Sequence, residues 1–140
     1  MDSLRFQLCD IQGRLFELSG KEGYDSADFI KRFMLSEVAK GLDSFYNRYQ
    51  WAGEEYLMEE VTESCKDIKK GSPYPYEVLY WMGYLYRYWQ ITKATSSAKI
   101  VKLAPPSTMN RNYTMFHTMD PALAIEDLLE IYHQKKRVAV

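Results

Sequence analysis

Two histidines, His117 and His133, and two cysteines, Cys9 and Cys65, are the residues of this chain best suited to hold a transition metal, but their spacing argues against it. Zinc sites draw their ligands from short pairs, roughly two to five residues apart. Here all four lie far apart, so no metal site and no cofactor is predicted, and both cysteines read as small buried hydrophobes. His117 has the chemistry to serve a nucleophile such as Ser107 or Cys65 as general base, but acyl transfer needs the two side chains within hydrogen-bond reach, and spacing in the chain does not specify that. Paired carboxylates recur at Glu54/Glu55 and Glu59/Glu60. Adjacent acids on a helix point in different directions, so they read as a solvated acidic face or a partner-recognition ridge rather than an acid–base couple. Glu55 and Glu59 are assigned to that ridge.

Phosphate chemistry lacks its loop. The Gly-x4-Gly-Lys-Ser/Thr pattern does not occur, and the seven glycines are too dispersed for a dinucleotide fingerprint. GKEG, residues 20–23, has the form of a GxxG loop but reads as a helix terminus. No enzymatic activity is expected.

Two stretches remain for binding. SSAKIVKLAPPSTMNRNY, residues 96–113, reads as helix, turn, helix, with Lys102, Asn110 and Arg111 available to phosphates or bases. Pro105-Pro106 in the turn and a net charge of −1 leave DNA binding as the alternative function. The second stretch, YPYEVLYWMGYLYRYWQ, residues 74–90, holds six tyrosines and two tryptophans in seventeen residues, more rings than one helix face comfortably buries. Tyr80, Tyr84 and Tyr88 recur at i, i+4 and i+8, with Arg87 on their flank. Tyr, Trp and Arg dominate protein-interface hot spots, so these four residues are the predicted partner contacts.

The elements that position these residues follow from periodicity. Leu4, Leu8, Ile11, Leu15 and Leu18 form one helical stripe ending near Gly20 or Gly23. Asp25 or Ser26 caps a helix with Phe29, Ile30, Phe33, Met34 and Val38 on one face, ending at Gly41. DSFYNRYQWAG reads as a brief helix or an ordered loop. Leu57, Val61, Cys65 and Ile68 predict a helix from Glu54 to about Lys69. Val78, Met82, Leu85 and Trp89 make the buried stripe of a helix that Pro75 starts, bordered by Trp81. The even-numbered tyrosines keep a strand or hairpin at 74–90 open as an α+β alternative. A short helix over AKIVKLA is capped by Ser96 or Ser97. Another is capped by Ser107, with Met109, Tyr113 and Phe116 inward, and a last one starts at Asp120-Pro121. The fold class is therefore all-α, a single domain over 1–140 of about six helices.

At 140 residues the chain is long enough to bury a core without disulfides or metal. Asp2, Arg5, Asp10, Arg14 and Glu17 interrupt any signal-peptide apolar region, and no run reaches the roughly 20 apolar residues of a membrane span. A cytoplasmic protein is expected, with no membrane partner. Charge is divided: residues 1–77 carry 15 acidic and 10 basic side chains, whereas residues 78–119 carry 5 basic and no acidic ones. That asymmetry suits polar recognition and leaves self-association open.

GLDSFYNRYQWAGEEYLMEE, YWMGYLYRYW and KLAPPSTMNRNYTMFHTMDPALAIEDL together resemble a family of small bacterial proteins encoded beside ADP-ribosyltransferase-like proteins of toxin–antitoxin type. The resemblance covers nearly the whole chain and transfers no catalytic residue. It implies a partner: an antitoxin or accessory protein acting on a neighbouring toxin-like enzyme.

Overall fold

The computed structural model describes residues 1–44 and 48–139. Within them lie α1 (Ser3–Lys21), α2 (Ser26–Met34), α3 (Glu37–Asp43), a 3-10 turn (Arg48–Trp51), α4 (Glu54–Ser64), α5 (Tyr76–Lys93), α6 (Ser97–Leu103), α7 (Pro106–Phe116) and α8 (Pro121–Ala139). The all-α class holds, with eight α-helices among the described residues where about six were expected. The strand alternative at 74–90 does not: α5 runs through it, and the β-bridge between Tyr24 and Lys70 is an isolated one. Of the DSFYNRYQWAG expectation, Arg48–Trp51 is a helical turn, and residues 45–47 lie outside the described residues.

Local chemistry explains most boundaries. Asp25 caps α2 by accepting from the Asp28 amide at 3.0 Å, and Ser96 caps α6 by accepting from Lys99 at 3.2 Å. α1 ends in a Schellman motif: the Tyr24 amide donates to the Ser19 carbonyl and the Gly23 amide to the Gly20 carbonyl, with Gly23 at φ +82°. Pro106, not a helix capped by Ser107, opens α7, and its missing N–H costs nothing in the first turn.

Two expected helices come out differently. The one predicted from residue 26 to Gly41 breaks after Met34, because the Ser36 hydroxyl donates to the Phe33 carbonyl at 2.6 Å and its oxygen caps α3 at the Ala39 amide. α4 stops at Ser64 rather than near Lys69. Residues 65–71 leave the helix to bond with α2 and its approach: Lys69 N–H donates to Asp28 Oδ2 (2.9 Å), Asp25 N–H to the Lys69 carbonyl (2.8 Å), and Gly71 N–H to the Gly23 carbonyl (3.1 Å).

α1 and α5 pair more extensively than any other two helices, antiparallel and at close range. A methyl group on Gly83 would run into the Gln12 carbonyl oxygen and lie 2.8 Å from the Gly13 Cα, so only two facing glycines allow the approach. Around this seam the described helices form one compact domain on one continuous core. Phe16 sits at its centre, edge-on to Phe33 at 5.6 Å, Tyr86 at 6.1 Å and Phe29 at 6.2 Å. Each such pair adds about 0.5–1.5 kcal/mol beyond area burial. Among the described residues no helix is long and apolar enough to cross a membrane.

Candidate functional site

The expected buried stripe of α5, Val78, Met82, Leu85 and Trp89, faces the core, joined by Leu79 and by Tyr86, whose hydroxyl donates to the Ala104 carbonyl at 2.6 Å. The outer face carries Tyr80 and Tyr84, half-buried, with ring centroids 6.1 Å apart. Together with Trp81 and Leu85 they floor an open groove of about 640 Å³. α7 lines it with Tyr113 and its C-cap residue His117, the turn into α8 with Met119, α8 with its first residue Pro121, α1 with Glu17, and the first turn of α5 with Glu77.

Ring contacts hold this lining in place. Trp81 meets Tyr113 edge-on at 5.6 Å, and Tyr113 stacks on His117 at 4.1 Å with their planes 12° apart. His117 Nδ1 lies 2.7 Å from the Tyr113 carbonyl oxygen; since a carbonyl only accepts, Nδ1 carries the proton. The Tyr80 hydroxyl donates to Asp10 Oδ1 at 2.5 Å, and Asp10 Oδ2 pairs with Arg14 at 3.0 Å. Burial and then the Asp10 bond push the Tyr80 hydroxyl well above the usual tyrosine range; burial, with the nearby Cys9, also raises Tyr84. Both therefore present neutral rings, and Tyr84 has no hydrogen-bond partner for its hydroxyl among the described residues.

The groove offers π faces, two carboxylates and the apolar surfaces of Met119 and Pro121. That set stacks and pairs charges. Neither Ser107 nor Cys65 lines it, so the general base considered for His117 has no nucleophile there. No group of three or more His, Cys, Asp or Glu able to hold a metal ion occurs among the described residues. Cys9 is buried as expected; Cys65 is only partly so.

Of the expected partner contacts, Tyr80 and Tyr84 belong to the groove, Tyr88 lies outside its lining, and Arg87 is a correction. Arg87 is 1% exposed, not a surface residue on the tyrosine flank. Its Nη1 pairs with Asp43 Oδ1 at 2.6 Å and reaches Gln90 Oε1 at 3.1 Å, while Nε donates to Gln12 Oε1 at 2.8 Å and Nη2 to Ser97 Oγ at 3.4 Å. A buried guanidinium needs such partners, and here they tie α1, α3 and α6 to α5. Glu55 and Glu59 are exposed on α4, outside the groove, but Glu54 and Glu55 share an adjoining depression with Glu17. Glu17 thus stands between the aromatic groove and the acidic ridge.

The residues of the DNA alternative do not converge. Lys102 lines a separate cleft of about 290 Å³ with Thr108, Lys135 and Lys136, whereas Asn110 and Arg111 are outside that lining. Periodicity missed Glu17, His117, Met119 and Pro121 as groove residues and placed Tyr113 inward; only tertiary packing brings them to α5.

Fold and site together define an all-α domain with an aromatic groove bordered by carboxylates. No family model, curated protein or solved structure matches this chain.

Proposed function

We propose that this chain is a non-catalytic protein-binding module, cytoplasmic, that uses the Tyr80–Tyr84 groove to hold a segment of a partner protein. The partner is a toxin-like enzyme of the ADP-ribosyltransferase type, as the family resemblance implies, which the module restrains or assists. The observation that carries the reading is the groove itself: four aromatic side chains, Tyr80, Trp81, Tyr84 and Tyr113, line one open cleft and are preorganised by ring contacts. Rigid aromatics bury large area at small entropic cost, the property of interface hot spots. Isothermal titration against the enzyme encoded beside the chain tests it. Tyr84→Ala should weaken binding by about 1–2 kcal/mol or more with the helical circular dichroism retained. Binding indifferent to Tyr84→Ala, or none at all, would sink the proposal.

DNA binding stays as the second reading because Lys102, Lys135 and Lys136 gather around one cleft. A duplex shift with steep salt dependence, lost in Lys102→Ala, would favour it over the groove. Against it, α7 buries Pro106, Thr108, Met109 and Phe116 and has only part of its surface free.

A further inference from the structure

Charge makes the groove's occupant more specific. Its lining includes two carboxylates, Glu17 and Glu77, and neither lysine nor arginine. Neither glutamate takes part in an ion pair among the described residues. The cations nearest in sequence, Arg14 and Lys21, open with Glu17 onto the adjoining depression. Arg14 is occupied by Asp10 at 3.0 Å, and the Lys21 ammonium lies 5.7 Å from the Tyr76 ring centroid. The N-terminal ends of α5 and α8, which would otherwise attract an anion, are already met by the chain's own carboxylates: Glu77 in the first turn of α5, and Asp120, just before α8, accepting from the Ala122 amide at 2.9 Å.

We propose, building on the protein-binding reading, that the groove takes an arginine side chain from a partner segment. Its guanidinium lies against the faces of Tyr84 and Trp81 and pairs with Glu77 and Glu17, while flanking aliphatic residues cover Met119 and Pro121. Arginine suits the lining better than lysine because its planar, weakly hydrated cation stacks on aromatic rings and forks onto carboxylates, whereas an ammonium must be stripped of a tighter hydration shell. The adjoining Glu54 and Glu55 extend the same negative field along the approach, which favours a basic segment over an acidic one.

A displayed library of random heptapeptides, selected against the full chain, tests this. Selection should enrich peptides with an arginine between aliphatic residues. For the best synthetic peptide, arginine→citrulline, which removes the charge and keeps the shape, should weaken binding about tenfold or more. Glu77→Gln, an exposed change that spares the fold, should do the same, as should Tyr84→Ala, while Glu59→Gln, on α4 and outside the lining of both the groove and the depression beside it, should not. Binding should fall as salt rises. Enrichment of acidic or purely apolar peptides, or binding indifferent to citrulline or to Glu77→Gln, overturns the arginine assignment; if such peptides still lose affinity in Tyr84→Ala, the protein-binding reading stands without it. No enrichment, or peptide binding that ignores Tyr84→Ala, overturns both.

Discussion

The Arg87 guanidinium and the Asp43 carboxylate meet at 2.6 Å inside the domain, and the same carboxylate accepts from Ser97 at both its amide (2.9 Å) and its hydroxyl (2.7 Å). One ion pair therefore joins the end of α3, the middle of α5 and the start of α6. Arg87→Met would leave Asp43 without its cation and Gln12 without a donor. Removing one member of a buried pair costs about 3–5 kcal/mol, so urea unfolding should show a loss of that order. Adding Asp43→Asn, which keeps one acceptor for the Ser97 amide and turns the other oxygen into an amide donor toward the Ser97 hydroxyl, should restore part of it. A loss below about 1 kcal/mol would place the pair among solvated ones.

Gly83→Ala sets a methyl group against backbone rather than a movable side chain. α1 and α5 must then separate, and overpacking of this kind costs about 1–3 kcal/mol or more. Gly53→Ala is the control, since its nearest neighbour is Glu55 Oε2 at 3.5 Å. Equal melting temperatures for the two variants would disprove the close seam.

Asp28 supplies a pH dependence. The Lys69 amide bond, with Arg32 beside it at 3.2 Å, holds its carboxyl below the usual aspartate range. A depressed folded value means its contribution is fully present above the unfolded pKa of about 3.9 and lost as pH falls through the folded one. Thermal melts from about pH 5 to about pH 2 should fall more gently for Asp28→Asn than for the parent chain. Parallel curves would count against the assignment.

Cys9 should be silent to thiol reagents. Burial, opposed in part by the Arg87 charge, pushes its pKa up to about 12, and the thiolate is the reactive form. In a Cys65→Ser variant, Ellman's reagent should label no thiol at neutral pH until urea unfolds the chain. Prompt labelling of that variant in its folded state would refute the burial.

What the sequence revealed and what it hid divides by range. The Leu8 and Leu15 stripe, the Asp25 and Ser96 caps and the Val78–Trp89 stripe are local patterns, and α1, α2, α5 and α6 follow them. Arg87 misled because a helical wheel ranks arginine as a surface residue, while the Asp43 that allows its burial lies 44 residues away. The early end of α4 depends on backbone bonds to Asp25 and Asp28, which periodicity does not encode. Tyr80 and Tyr84 were legible as a half-exposed stripe; Glu17 and the α7–α8 side of their groove come from α5 packing against helices remote in sequence.

The α1–α5 seam also sets an order of events during synthesis. α1 leaves the ribosome well before α5, yet its Gln12 bonds to Gly83 and Arg87, 71 and 75 residues later. Its strip toward α5, around Gln12 and Gly13, stays uncovered until α5 has emerged. Closing so long a loop is slow compared with forming either helix alone. The nascent N-terminal half therefore passes through a stage in which it is helical and sticky, and a truncation ending before Tyr76 should aggregate or recruit a chaperone rather than fold.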